Sequence, residues 1–224
     1  MLKVEDLFDL SHTMASEYLC NFDYPWKALK GIRDLIEELG NNLNKSDYRE
    51  IDHCVWIHKT AVVAPSAQIL SPCIIDAETE IRHCAFIRGS ALVGKSCVIG
   101  NSTELKNVIV FDNVQIPHFN YAGDSIFGYK SHMGAGAITS NVKSDRSFVC
   151  INYEKSKIKT ELKKAGAFLG DYVEIGCNAV LNPGTVVGRN STVYPLSCVR
   201  GVIPENSIYK TGGTIETKDN REVN

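Results

Sequence analysis

IDHCVWIHKTAVVAPSAQILSPCIIDAETEIRHCAFIRGSALVGKSCVIGNSTELKNVIVF, residues 51–111, places an apolar side chain at every sixth position. The series runs Ile51, Ile57, Val63, Ile69, Ile75, Ile81, Ile87, Val93, Ile99, Leu105, Phe111. Four residues after most members stands a small side chain: Ala61, Ala67, Cys73, Thr79, Ala85, Ala91, Cys97, Thr103. A period of six fits neither an amphipathic helix nor a heptad, but it contains the strand period of two. A short strand, a turn and a second short strand would return the same side chain to the interior each time. Three such strands close one triangular coil of about eighteen residues, so the expected fold is an all-β solenoid, a parallel β-helix. Stacked coils bury a continuous core, each touching only its neighbours.

Further along, Leu169, Ile175, Leu181, Val187, Val193 and Val199 repeat the spacing, with Ala179, Thr185, Ser191 and Ser197 as their small partners. Phe127 and Met133 keep it in between. The expected organisation is a solenoid over 51–206 with an insertion at 143–164 and a tail over 207–224. Residues 1–50 lack the six-residue period and read as an N-terminal helical cap over the exposed first coil, with a partner-binding segment as the other reading. Within it, residues 26–40 form an amphipathic pattern in which Ala28, Ile32, Leu35, Ile36 and Leu39 share a face. Pro25 suits its start and Gly40 its stop.

Hydrophobic residues make up 44% of the 224 and charged residues 22%, which is enough apolar material for a real core. The net charge of −2 gives no general attraction to nucleic acid or anionic membrane. No apolar run approaches the roughly 18–20 residues of a membrane span. The start, MLKVEDLFDLSH, lacks the apolar block of a signal peptide. A cytoplasmic protein is expected. The eight cysteines include no CxxC pair and read as reduced, small apolar fillers.

Chemistry-bearing residues gather where the six-residue series falters. IPHFNYAGDSIFG (116–128) brings His118, Tyr121, Gly123 and Asp124 together, and HMGAGAITSNVKSD (132–145) adds Gly134, Gly136 and Asn141. The first stretch, 116–128, reads as an active-site loop hung from the solenoid. The insertion carries Lys143, Arg146, Lys155, Lys157, Lys159, Lys163 and Lys164 against Asp145, Glu154 and Glu161. It is either a solvated arm or a basic lid for a phosphate-bearing ligand. Most histidines are structural. His53 and His58 invite a metal reading, but no third histidine recurs at a matching spacing, so no metal is expected.

The stretch from Arg88 to Asn141 resembles the acetyltransferase domain of the bifunctional glucosamine-1-phosphate acetyltransferase / N-acetylglucosamine-1-phosphate uridylyltransferase family. It is also similar to the C-terminal domain of archaeal sugar-1-phosphate nucleotidylyltransferase/acetyltransferases. The carriers are Arg88 in IRGSALVGKSCVIGN, Lys106 in ELKN, His118 and Tyr121 in H-x-x-Y-x-G-D, and Asn141 in GAGAITSN. EIGCNAVLNPGTVVG supports the match in the second series. The resemblance implies a left-handed winding, a homotrimer, and acetyl-CoA and an amino-sugar phosphate bound between neighbouring chains. It implies His118 and Asn141 as catalytic residues and Arg88, Lys106, Tyr121 and His132 as substrate-binding residues. Ala135, Gly136, Cys177 and Pro195 would contact the cofactor. His132 and Val142 stand where the family has asparagine and tyrosine, and the first fifty residues are too few for a uridylyltransferase domain.

On this reading His118 takes a proton from the acceptor amine, a backbone N–H of the Gly134–Gly136 turn stabilises the oxyanion, and Arg88 and Lys106 hold the phosphate. Two other readings remain: an acyltransferase for another amino-sugar acceptor, and a non-catalytic trimer that binds sugar phosphate or nucleotide sugar.

Overall fold

The computed structural model describes residues 2–154 and 156–218, and its strands stack in register as a three-faced parallel β-solenoid. The first face aligns Ile57, Ile75, Val93, Val110, Phe127, Leu169, Val187 and Ile203 in successive coils. The second aligns Val63, Ile81, Ile99, Ile116, Met133, Ile175 and Val193. The third aligns Ile69, Ile87, Leu105, Ala122, Thr139, Leu181 and Val199. From Ile75 to Ile203 the first-face column is 1% exposed or less, because each side chain meets the equivalent one of the next coil. The small residues sit at the corners. Thr79 shows why: its hydroxyl donates to the Gly94 carbonyl at 2.6 Å and accepts from the Cys97 N–H at 3.0 Å, tying one corner to the next.

Both ends of the six-residue series need correction. Ile51 is 57% exposed and lies in strand Tyr48–Asp52, which runs antiparallel to Val55–His58. That strand pairs with the open edge of the first coil, and Ile215–Thr217 does the same at the far end against Ser207–Tyr209. Pairing removes edges that would otherwise recruit another chain. The repeat therefore continues to Tyr209, past the expected limit at 206, and residues 219–224 of the tail lie outside the described residues. At the other end of the series, Val110 and not Phe111 continues the column, because the coil loses one residue between Leu105 and Val110. Phe111 is buried as well, but its ring lies 5.2 Å from that of Phe8.

The N-terminal helices are short and lie beside the first coil, with Gly40 against the Trp56 ring, while strand Tyr48–Asp52 pairs with its open edge. Pro25–Ala28, the 3₁₀ turn Leu29–Gly31 and Ile32–Asn41 replace the expected single helix. Gly31 marks the break; the Tyr18 hydroxyl fills the space its side chain would need and donates to the Ala28 carbonyl at 2.6 Å. The segment lies as a strap along the outside of the first face. Trp56, Ile74, Leu92, Ile109, Ile126, Phe168 and Val186 point outward there, yet none is more than 5% exposed. Helix Ile32–Asn41 packs on strands Cys73–Ile75, Ala91–Val93 and Glu104–Val110. Trp26, fully buried, meets Phe168 edge-on at 6.0 Å. The strap is pinned further down where Asp171 accepts from the Asp9 N–H at 2.7 Å.

Candidate active site

Two corners flank the third face, and they differ in regularity. At the corner between the second and third faces the spacing is six in every coil: Ile99 to Leu105, Ile116 to Ala122, Met133 to Thr139, Ile175 to Leu181, Val193 to Val199. At the corner between the third and first faces it is six in the early coils. It then falls to five from Leu105 to Val110 and from Ala122 to Phe127. Between Thr139 and Leu169 the whole insertion enters, and Val199 to Ile203 is only four. The left-handed corner residues record the same slips: Ser102 to Asn107 is five, Asn113 to Phe119 is six, Phe119 to Asp124 is five.

His118 belongs to the regular corner. It closes strand Gln115–His118, in register with Asn101, so it is not on a loop that interrupts the solenoid. The slips lie on either side of it, at the other corner. Its carbonyl accepts from the Gly136 N–H at 3.0 Å, and its exposed ring makes no hydrogen bond among the described residues. Register carries the same corner position from His118 to Ala135, Cys177 and Pro195 in successive coils. At about 4.8 Å per coil, Pro195 lies about 14 Å below His118. Ala135 and Gly136 are partly exposed, and Cys177 and Pro195 are exposed. The Gly134 and Gly136 N–H groups are committed to the Ile175 and His118 carbonyls, at 2.7 and 3.0 Å. The Ala135 N–H has no partner among the described residues, so it is the free donor of this turn.

Asn120 organises the corner. It is 3% exposed; its Oδ1 accepts from the His118 N–H at 3.0 Å, and its Nδ2 donates to the Gly134 and Ala137 carbonyls at 2.8 and 3.1 Å. One amide thus ties the His118 corner to the Gly134–Ala137 turn below. Sequence reasoning passed it over. The signal was its position four residues after Ile116, where the repeat otherwise places a small side chain.

Arg88, Lys106, Tyr121 and Asn141 gather toward the irregular corner, around a residue the sequence reading left without a role. Asp124, 5% exposed, lies 3.5 Å from Lys106 Nζ and accepts from Asn107 Nδ2 at 2.9 Å and Asn141 Nδ2 at 2.5 Å. Asn141 Nδ2 also donates to the Tyr121 hydroxyl at 3.1 Å, and the tyrosine ring leans over Gly123, where a Cβ would sit 2.5 Å from the hydroxyl. Burial, and then the Asp124 charge, push the Tyr121 phenol up, so it keeps its proton as a donor. Arg88 Nη1 donates to Glu104 Oε1 at 2.6 Å. Both cations therefore already hold a carboxylate.

Asn141 thus stands with Tyr121 and Asp124, and no contact joins it to His118. His132 lies elsewhere, on the second face, with Nδ1 2.8 Å from Glu174 Oε2. His53 and His58 do not converge. His58 bonds Thr60 at 2.9 Å, while His53 groups with Glu50 and Cys54, their ligand atoms within 4.8 Å of one another on the exposed first hairpin.

The insertion is a hairpin of Cys150–Tyr153 and Ser156–Lys159. Its Lys155 lies outside the described residues. Val149 and Ile151 are fully buried beside Gly184, and the Asn152 carbonyl passes close to Gly201.

Residues 69–167 match the family model described as the GMPPB C-terminal domain. A protein named bifunctional protein GlmU from Methanococcus maripaludis is 30% identical over 206 residues, covering 90% of this chain and 49% of that protein. The chain is similar in sequence to the proteins named GlmU. The match spans between a third and a half of the length of the curated GlmU relatives it matches first. A bifunctional sugar-1-phosphate nucleotidylyltransferase/acetyltransferase from Sulfurisphaera tokodaii is 27% identical over 178 residues, covering 71% of this chain and 44% of that one. Among solved structures, a mutant of AntD, an N-acyltransferase from Bacillus cereus, aligns with 17% identity and a TM-score of 0.41 over 84% of this chain and 90% of that chain. Among the described residues no helix is long and apolar enough to cross a membrane.

Proposed function

We propose that this protein is an N-acetyltransferase that uses acetyl-CoA to acetylate an amino-sugar 1-phosphate, glucosamine-1-phosphate or galactosamine-1-phosphate. The observation that carries the reading is the corner column: an unbonded imidazole at its head, a free backbone N–H one coil below, then the exposed Cys177 and Pro195. The sequence similarity to GlmU and to the archaeal acetyltransferase supports the same reaction class.

The column suits an extended pantetheine arm. Gly134 and Gly176 lie so close to the next coil that a Cβ would sit 2.7 Å from the Cys177 nitrogen and 2.4 Å from the Pro195 nitrogen, so the corner stays narrow and its neighbours reach solvent. Acetyl-CoA would supply a thioester whose thiolate leaves on attack by an amine. His118 accepts the proton that the attacking nitrogen loses, and afterwards returns it to the leaving sulfur. The Ala135 N–H points a dipole at the developing oxyanion, a contribution of about 3 kcal/mol where such a donor is well placed. Asn120 holds both groups in one frame. Tyr121 and the free Oδ1 of Asn141 offer a donor and an acceptor for sugar hydroxyls. The reading includes a left-handed winding and a homotrimer with its sites between chains, in a cytoplasmic enzyme.

The test is thiol release from acetyl-CoA with each sugar phosphate as acceptor. Acceptor-dependent release that falls at least about a hundredfold in His118→Ala is expected for a general base. Release that needs no acceptor, or that survives His118→Ala, would refute the assignment.

A further inference from the structure

We infer that the first hairpin binds a divalent cation, Zn²⁺ by its donor set, on Glu50, His53 and Cys54. The inference is independent of the acetyltransferase reading. Counting histidines hides this site. His58 turns away to Thr60, and the donors that join His53 are a carboxylate and a thiol. The three ligand atoms lie within 4.8 Å of one another, and among the described residues no other three such donors converge so closely.

The hairpin builds the group. Strand Tyr48–Asp52 pairs with Val55–His58, and its register slips between Glu50 and Asp52. A bulge re-aims the side chains beside it. At the tip, Cys54 Sγ lies 3.6 Å from His53 Nε2. The Cys54 N–H donates to Glu50 Oε1 at 2.9 Å and the His53 N–H to Asp52 Oδ1 at 2.7 Å, which fixes the turn and leaves Glu50 Oε2 for a ligand. Among the described residues Glu50 has no cationic partner. Zinc bonds of about 2.3 Å to sulfur and roughly 2.0–2.1 Å to nitrogen, at a tetrahedral angle, separate the two donors by about 3.6 Å. The Cys54–His53 pair already has that width.

One thiolate and one carboxylate cancel the charge of the ion, and sulfur with imidazole nitrogen selects zinc over magnesium or calcium. The thiol proton passes to solvent on binding. Three protein donors leave one position for water. A bound ion would fasten strand Tyr48–Asp52, exposed from Arg49 onward, to the coil whose edge it covers.

The molecule carries its own control. His83 and Cys84 repeat the dipeptide, with Cys84 in the same left-handed conformation as Cys54, φ 59° and 56°. There the imidazole Nδ1 is held by the Ser66 hydroxyl at 2.5 Å, and no carboxylate converges on the pair.

The test titrates Co²⁺, whose thiolate charge-transfer band reports sulfur coordination, and then Zn²⁺ in competition with a chromophoric chelator. The full chain is compared with Glu50→Gln, His53→Ala, Cys54→Ser and Cys84→Ser. The altered residues are exposed or partly exposed, and thermal melts without metal verify that the variants fold. Glu50→Gln keeps an oxygen for the Cys54 N–H and removes only the charge. The full chain should show the cobalt band at one equivalent, Cys54→Ser should lose it, and Cys84→Ser should keep it. Zinc should bind at least about tenfold more weakly to Glu50→Gln and to His53→Ala, since even an outer-shell partner of a metal ligand is typically worth 10–100-fold. Zinc should raise the melting temperature of the full chain and not that of Cys54→Ser. No cobalt band in the full chain, a band that survives Cys54→Ser, or one lost in Cys84→Ser overturns the site. Zinc affinity unchanged in Glu50→Gln or in His53→Ala overturns the three-donor set. None of these readouts needs turnover, so failure of acetyl transfer in the thiol assay is a separate result.

Discussion

The two corners beside the third face are made of the same kind of chain and have opposite freedoms. The regular corner keeps six residues in every coil because its glycines touch the next coil: a Cβ on Gly100 would sit 1.5 Å from the Pro117 carbonyl oxygen. The irregular corner accepts five, five, thirty, six and four residues in successive coils. A rigid corner can present groups at a fixed spacing, as an extended ligand requires. A permissive corner can acquire new side chains without disturbing the core. In this protein the proposed base and cofactor column occupy the first, and the polar cluster and basic insertion occupy the second.

The largest expected effect breaks the rigid corner. Gly100→Ala has no room for its methyl against backbone, so the variant should lose more than about 4 kcal/mol in chemical denaturation or fail to fold. A near-neutral result would mean that the corner is as yielding as the other. Next comes Asn120→Ala. It leaves the His118 N–H and two carbonyls without their amide, at a cost of about 1–3 kcal/mol in stability, and it should lower kcat more than it raises either KM. Unaltered kcat would remove Asn120 as a positioning residue. Tyr121→Phe removes only the hydroxyl bonded by Asn141. It should raise the acceptor KM by roughly three- to tenfold, the equivalent of about one hydrogen bond, and leave stability within about 1 kcal/mol. The smallest effect belongs to the permissive corner. Two glycines inserted after Glu154 lengthen the hairpin tip and should cost less than about 0.6 kcal/mol. A loss several times larger would show that the insertion is structural to the solenoid.

Much of this was legible in the sequence, and the misses have physical reasons. The interior columns could be read because a buried position tolerates few alternatives, and Val63 through Leu105 occupy the predicted places. The slip before Val110 was hidden because Val110 and Phe111 are both apolar and buried, so either one satisfies a six-residue count. That slip is also why 116–128 read as a broken stretch: counted from Phe111, the next member falls on Pro117, whereas Ile116 holds the place. The strap was missed because its signal lies in the residue before each first-face member. Ile74, Leu92, Ile109, Ile126, Phe168 and Val186 are all apolar, where the second face mixes Val62 and Val98 with Glu80, Gln115, His132, Glu174 and Thr192. A face that is apolar on both sides must be covered. At the candidate site, residue types pointed to His118, Tyr121, Lys106 and Arg88. They did not reveal that Glu104 and Asp124 fold back onto the two cations, because that pairing depends on which coils become neighbours.

The division of labour between the corners is tested most directly by steady-state kinetics on one variant from each, Cys177→Trp and Tyr121→Phe, with acetyl-CoA and glucosamine-1-phosphate varied in turn. The bulky indole in the proposed cofactor column should raise the acetyl-CoA KM at least about tenfold and leave the acceptor KM near wild type, and Tyr121→Phe should do the reverse. If both variants shift the same constant, or if Cys177→Trp leaves acetyl-CoA untouched, the two corners do not divide donor from acceptor.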